Sequence, residues 1–519
     1  MNVLFLPANI QITIEQNTSL LDAIHQAGLR IDSPCGGYGR CGKCRVIVTK
    51  GNNHMYSKEE ERFLSLEERN SGVRLACAMV LEEDSCVLLP QYFSHVNKTI
   101  SKTVSNQEKE LLLAIDIGTT TVEYIVLGAK DGLAVVKHQF YNPQRRFGAD
   151  VIARVSLCQK DPSKVKVLQM ELIEELTCSL EELLGQIGLS TKNISRAVVV
   201  ANTTMCHLLT GRNPIKLASA PFWPDYMGGS VELAKELGLT LKEEATVEVL
   251  PFIGGHIGAD TVGCLAAIEL EKKRGCHLLV DIGTNGEIVL KGKEKLYACS
   301  TAAGPCFEGG SMSYGMCATT GAINKVLYEK GQIKLSVKGN VRPIGLSGTG
   351  ILDAVAVLLK AGMIDHTGYL KDEYCEIDPN TRKEGYCLYR DKEGGIYITR
   401  EDIRQLQLAK AAIIAGIQVL LSVEELAIEE LSGIWIAGAF GTHLNLEHAM
   451  LLGLLPTIEI TKYHQIGNAA LTGAIKRLKQ EVLKDELVEL AHSVTHVELS
   501  EDELFRQEFI NGMDFKQSL

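Results

Sequence analysis

The sequence predicts a small α+β domain at the N-terminus, followed by a much larger α/β portion built as two related lobes. Three observations carry this expectation. A glycine-rich loop holding Cys35, Cys41 and Cys44 lies within the first 90 residues, and a fourth cysteine, Cys77, follows on a separate segment. From Gln91 to Glu110 the chain turns polar, rich in Ser, Thr, Asn and Lys, which is the composition of a linker. Beyond it, an apolar run leading into Asp-Ile-Gly-Thr occurs twice, at Asp116 and at Asp281, and such repetition marks paired structural units. A length of 519 residues leaves room for about three domains, placed at 1–90, 111–275 and 276–519, with 91–110 as the linker.

Val3 to Leu6 and Ile10 to Ile14 read as two short strands, turned by Pro7-Ala8-Asn9. Thr18 stands where a cap is needed for a helix whose Leu20, Leu21, Ile24 and Ala27 recur at helical spacing and which stops at Gly28. The cysteine loop follows, then a strand Arg45 to Thr49, a charged helix near Glu59 to Arg69, and a strand Cys86 to Leu89. This order resembles a β-grasp ferredoxin. Five residues separate Cys35 from Cys41 and two separate Cys41 from Cys44, one loop residue more than the plant-type [2Fe–2S] pattern, which also takes a distant fourth cysteine. A zinc ribbon would repeat Cys-x-x-Cys, and the lone Cys77 breaks that pattern. The spacing therefore predicts a [2Fe–2S] cluster on Cys35, Cys41, Cys44 and Cys77. The intervening glycines predict a loop with positive φ angles whose amides point at the sulfurs. Arg40, Lys43 and Arg45 add positive charge around it, suited to an acidic partner.

Composition limits the partners. A formal charge of −11 provides no basic stripe for nucleic acid, so the expected partner is a protein or a small molecule. Met1 to Ile10 lacks the basic and apolar regions of a secretory signal. The longest apolar stretch, Ala411 to Leu421, is too short to span a bilayer. Fifteen cysteines without an export signal point to a reducing cytoplasm.

Each Asp-Ile-Gly-Thr segment reads as strand, tight glycine turn, strand: Leu111 to Ile115 before Asp116 and Val122 to Leu127 after it, then Cys276 to Val280 before Asp281 and Ile288 to Leu290 after it. Amides and hydroxyls at such a turn face phosphate oxygens, and the aspartate faces a hydrated Mg²⁺. Neither is a Walker loop, because no Lys follows the glycine. Ile434 to Gly441 is an apolar strand ending in Gly438 and Gly441, where missing side chains let backbone approach a nucleoside. Asp260, at the start of a helix from Thr261 to Leu270, either orients an attacking water or caps the helix. Ser347-Gly348-Thr349-Gly350 opens another helix and either adds amides to the nucleotide pocket or is simply a helix start; Ala303 to Gly310 reads as a lobe-closing loop, whose Cys306, with Cys299 and Cys317 outside it, lacks metal-ligand spacing and reads as structural. His207 reads as a satisfied core histidine.

These hairpins and the late glycine turn together resemble the nucleotide site of the actin, sugar kinase and heat-shock chaperone ATPases, in which two ribonuclease-H-like lobes close on ATP. That resemblance assigns phosphate contacts to Gly118, Thr119, Thr120, Gly283, Thr284 and Asn285, the hydrated Mg²⁺ to Asp116 and Asp281, and the nucleoside to Gly438 and Gly441. Joined to an N-terminal ferredoxin, the whole is similar to the ATP-dependent reductive activators of corrinoid proteins. The likeness extends over the cluster loop, Arg74 to Cys77, Phe147 to Val151, Asn202 to Leu208, Pro251 to Thr261, Ala303 to Gly309 and Val497 to Ser500. It implies one-electron reduction of an inactive Co(II) corrinoid protein to Co(I), driven by ATP. The implied partners are a corrinoid protein, with a methyltransferase or O-demethylase corrinoid subunit favoured, and a low-potential electron donor; a homodimer is also compatible. Some members carry an extra domain after the ferredoxin, for which residues 91–110 leave no room. Two other activities fit the same parts: a redox-sensing small-molecule kinase, and a nucleotide-gated electron carrier. The acyl-CoA dehydratase activators share the ATPase fold but lack a separate N-terminal ferredoxin.

Overall fold

The computed structural model describes residues 1–6, 9–29, 31, 33, 37–39, 42–51, 55–64, 66–89, 98–100, 110–148, 150–392 and 394–515. Cys35, Arg40, Cys41 and most of 91–110 lie outside these residues.

The first unit is a five-stranded sheet. β1 (Asn2–Leu6) and β2 (Ile10–Thr13) form the expected hairpin, α1 (Leu20–Gln26) crosses over, and β3 (Arg45–Lys50), β4 (Val73–Leu75) and β5 (Ser85–Leu88) complete the order β2-β1-β5-β3-β4. β1 and β5 are the parallel pair at its centre. Val3, Phe5, Leu20, Ile24, Leu75 and Val87 are fully buried and fill the space between sheet and helix. Ser19, not Thr18, caps α1, accepting from the Asp22 amide, while the Thr18 hydroxyl is turned back to donate to the Glu15 carbonyl. The single charged helix expected near Glu59 to Arg69 is two short ones, Lys58–Phe63 and Leu66–Asn70.

A seven-stranded sheet follows. β6 (Lys98–Ile100) is an edge strand, so the stretch read as pure linker contains sheet: Thr99 and Ile100, both apt for strands, pair with the open edge at Val136 to His138. β7 (Leu111–Ile117), β8 (Thr121–Gly128) and β9 (Ala134–Tyr141) form an antiparallel meander. After α2 (Val151–Lys160) and α3 (Lys164–Gly185), β10 (Ile194–Ala201) returns parallel to β7, with β11 (Val231–Leu233) and β12 (Thr246–Val249) beyond, giving β11-β12-β10-β7-β8-β9-β6.

Then α4 (Ala259–Ile268) leads into a second sheet of the same plan. β13 (Cys276–Ile282), β14 (Gly286–Lys291) and β15 (Leu296–Thr301) repeat the meander. The long α5 (Arg400–Val423) precedes β16 (Leu431–Ala437), which lies parallel to β13 as β10 does to β7. β17 (Tyr463–Gly467), α6 (Ala469–Leu478) and β18 (Val494–His496) complete the order β17-β16-β13-β14-β15-β18. α5 is long and apolar enough to cross a membrane by length and composition, since it extends well beyond Ala411 to Leu421. It serves instead as a core helix, with Ile403, Leu406, Ile413, Ile417 and Leu420 buried.

The two lobes meet where α4 crosses α6. A Cβ on Gly473 would stand 2.0 Å from the Gly263 carbonyl oxygen, and one on Gly263 would stand 2.8 Å from that of Ala470. The helices therefore touch backbone to backbone.

Candidate functional site

Two groups of chemically active residues stand apart. In the N-terminal unit, Cys44 closes the cysteine loop just before β3, and Cys77 follows β4 in a tight turn. Pairing of these strands carries the Ala76 amide to the Cys44 carbonyl at 2.9 Å, which brings Cys44 Sγ and Cys77 Sγ to 3.3 Å. Two thiolates on one tetrahedral metal with bonds of about 2.3 Å stand about 3.8 Å apart. The pair thus fits a shared iron after a small adjustment. Gly37, Gly39 and Gly42 all have positive φ, as the loop was expected to require. The Cys77 turn is anchored by a buried ion pair between Arg74 and Glu60 at 2.7 Å, and Glu60 also accepts from the Leu75 amide.

The positive charge expected around the loop is partly spent. Arg45 donates to the carbonyls of Gly42 and Phe63 and pairs with Glu68 at 3.1 Å, so it braces the loop while its side chain stays partly exposed. Lys43 reaches across the molecule to the Gly315 carbonyl at 3.4 Å, and Tyr38 meets Lys160 on α2 at 3.5 Å. The cysteine loop therefore contacts both lobes.

The second group lines the cleft between the lobes. Asp116 and Asp281 end equivalent central strands, and in the ladders each faces a glutamate on the next strand: Asp116 opposite Glu123, and Asp281 opposite Glu287. Like charges directly opposed in a sheet destabilise it; Lys137 offsets Glu123 at 2.7 Å, and the opposed acidic pair recurs in both lobes. Asp260 joins them as the second residue of α4. It is not the N-cap, which is Gly258, and its carboxylate instead accepts from the Thr261 amide. Burial pushes the Asp281 carboxyl up to about 6. Burial and then the charge of Asp281 push Asp260 up to about 7. Burial raises Asp116 well above the usual range, with Asp260, Glu123 and Asp281 adding to the shift; Glu287 is raised by burial and by Asp260 and Asp281. Asn468 at the start of α6 bridges Asp116 and Glu123 at 2.8 and 3.0 Å. Among the described residues, no three acidic, histidine or cysteine side chains enclose a metal ion by themselves.

Gly118, Thr119 and Thr120 form the turn between β7 and β8, and Gly283, Thr284 and Asn285 the turn between β13 and β14. The first turn is held from behind by residues that sequence patterns did not single out individually. Asn142 donates to the Gly118 carbonyl at 2.8 Å, Asn202 to Thr119 Oγ1 at 3.0 Å, and Arg154 to the Thr119 carbonyl. Arg154 is fully buried, and burial lowers its guanidinium to about 9. It places a positive charge directly behind the turn. Gly438, at φ +87°, lies so close to Asp281 that a Cβ there would meet Oδ1 at 2.7 Å. Gly441 is turned inward against Ile436, its carbonyl taken by Gln465 at 2.6 Å.

Other stretches singled out in the sequence make the following contacts. Ser347 caps the helix Gly348–Lys360 by accepting from the Gly350 amide, and Thr349 donates to the Asn324 carbonyl. His207 is buried, with Nδ1 2.7 Å from the Thr203 carbonyl. Cys299 and Cys306 are buried.

Comparison with known proteins gives a consistent picture. The chain matches the 2Fe-2S iron-sulfur cluster binding domain over residues 5–82, the RACo middle region over 111–273, and the C-terminal domain of RACo, the ASKHA domain, over 275–518. It is 31% identical to the corrinoid activation enzyme RamQ of Eubacterium limosum, with 99% of each chain covered. It is 28% identical to the Co(II) methylated amine-specific corrinoid protein reductase of Methanosarcina barkeri over 51% of each chain. A solved reductive activator for corrinoid,iron-sulfur protein superposes over 99% of this chain and 98% of that one, at 28% identity and a TM-score of 0.72.

Proposed function

The chain belongs to the family of reductive activators of corrinoid proteins, and on that premise we propose that it returns an inactive Co(II) corrinoid protein to Co(I) with one electron, in a reaction that depends on ATP. The observation that carries the ATP half of the proposal is the convergence of both Asp-Ile-Gly-Thr turns on one cleft floored by Asp116, Asp260 and Asp281.

In this proposal Gly118, Thr119, Thr120, Gly283, Thr284 and Asn285 bind the phosphates, with Arg154 supplying positive charge from behind. Asp116 and Asp281 hold hydrated Mg²⁺, whose charge also relieves the repulsion among the carboxylates. Asp260 orients the attacking water, and Gly438 leaves room for the nucleoside. Cys35, Cys41, Cys44 and Cys77 hold a [2Fe–2S] cluster, which supplies one-electron transfer. Reduction to Co(I) runs uphill from an ordinary ferredoxin. A gap of 100 mV for one electron corresponds to about 2.3 kcal/mol, and coupling between two sites supplies about 1–3 kcal/mol. Nucleotide-dependent closure of the lobes around the partner is therefore of the right size to contribute.

The test mixes reduced protein, Mg-ATP and candidate Co(II) corrinoid proteins from methyltransferase and O-demethylase systems while the cobalt absorption spectrum is followed. A Co(I) band that needs ATP is expected with one of them; its absence with every corrinoid protein would refute the proposal.

A further inference from the structure

Glu308 has no part in the assignments above, yet it makes the most direct connection between the two phosphate turns. It ends the short turn Pro305–Glu308, which follows β15 in the second lobe. Its Oε1 accepts from both the amide and the hydroxyl of Thr284, at 3.1 and 2.8 Å. Its Oε2 accepts from the hydroxyl of Thr120 in the first lobe. One carboxylate thus takes up donors from both turns, and these are the groups that phosphate oxygens would use. A half-buried anion bound to three donors, with Arg154 adding positive charge nearby, has the contacts of a bound phosphate.

We infer that Glu308 is a specificity-determining residue of the phosphate seat, an internal anion that an incoming phosphate chain must displace. The inference rests on the nucleotide-binding proposal for this cleft. Two consequences follow from charge. A phosphate arriving alone faces repulsion from Glu308 and from the carboxylates on the cleft floor, whereas one carrying Mg²⁺ brings a cation to all of them. With the cleft empty, the carboxylate also ties Thr120 of one lobe to Thr284 of the other, holding the turns in register for the ligand. Displacement of Glu308 would free the Pro305–Glu308 turn, which is adjacent to the residues that the cysteine loop touches at Gly315.

The experiment compares the cluster-loaded full chain with Glu308→Gln and Glu308→Asp, using titration calorimetry with Mg-ADP and with a non-hydrolysable Mg-ATP analogue. Gln removes the charge, and Asp keeps it but falls short of the second turn. Since hydrogen bonds to a charged group are the stronger kind, either change is expected to tighten nucleotide binding about tenfold. Both variants should melt several degrees lower than the wild type without nucleotide, and close to it with saturating Mg-ADP. Equal or weaker binding by the variants would overturn the inference and place Glu308 among the groups that hold the metal or water. Failure of the wild type itself to bind either nucleotide would instead refute the nucleotide site.

Discussion

Asp281 shows how one residue can be costly alone and useful with a ligand. Its carboxyl titrates near 6, and that of Asp260 near 7, against about 3.9 in an unfolded chain. The folded protein therefore binds more protons than the unfolded chain between these values. The contribution of these two carboxyls to the stability of the nucleotide-free protein is therefore greatest on the acidic side and falls as pH rises from about 4 through 7. At about 1.4 kcal/mol per pKa unit, the Asp281 shift alone corresponds to roughly 3 kcal/mol above pH 7. Asp281→Asn should raise the melting temperature of the nucleotide-free protein at pH 8 and flatten its pH dependence, as read by calorimetry. The same variant should lose ATP turnover while its visible cluster spectrum stays unchanged. Asp116 and Asp281 were legible because the motif around each is contiguous. Arg154, Asn468 and Glu308 were not, since an arginine within a helix or a glutamate before two glycines acquires meaning only when distant strands bring it to the turn.

Among the elements, the crossing of α4 and α6 admits the least change. With a Cβ on Gly473 placed 2.0 Å from the Gly263 carbonyl, the helices must separate to accept any side chain. Gly473→Ala should destabilise the chain by about 1–3 kcal/mol, the usual range for overpacking, with a loss of nucleotide affinity because these helices set the spacing of the lobes. Chemical denaturation and calorimetry on the same samples check both effects. Strands with strong apolar runs, such as β7 and β13, were legible to within two residues. The helix start at Ala259 was less so: Asp260 has the chemistry of a cap, but Gly258 passes within reach of the Ala201 carbonyl and Thr203 amide, and that packing draws the helix start earlier. β6 escaped notice because three residues carry no periodicity and its pairing partner lies more than thirty positions away.

For the molecule as a whole, the thiol pair and the acidic cleft belong to separate cores, which makes their contributions separable. Cys77→Ser should abolish or strongly bleach the visible spectrum and stop electron delivery, with Mg-nucleotide affinity unchanged within about twofold; spectroscopy and calorimetry distinguish this from general unfolding. The division into a cysteine-bearing unit and a duplicated α/β unit was legible from the spacing of four cysteines and one repeated tetrapeptide. The contacts from Lys43 and Tyr38 to the lobes were not, because they join side chains that have no sequence relation. The edge strand β6 also has a mechanical meaning. It fastens the chain to the outer margin of the first lobe at Lys98, so the stretch between Leu88 and that point, however it is arranged, extends at most about 36 Å. Under the proposed function, the centre that takes the electron must come within the reach that this short leash allows.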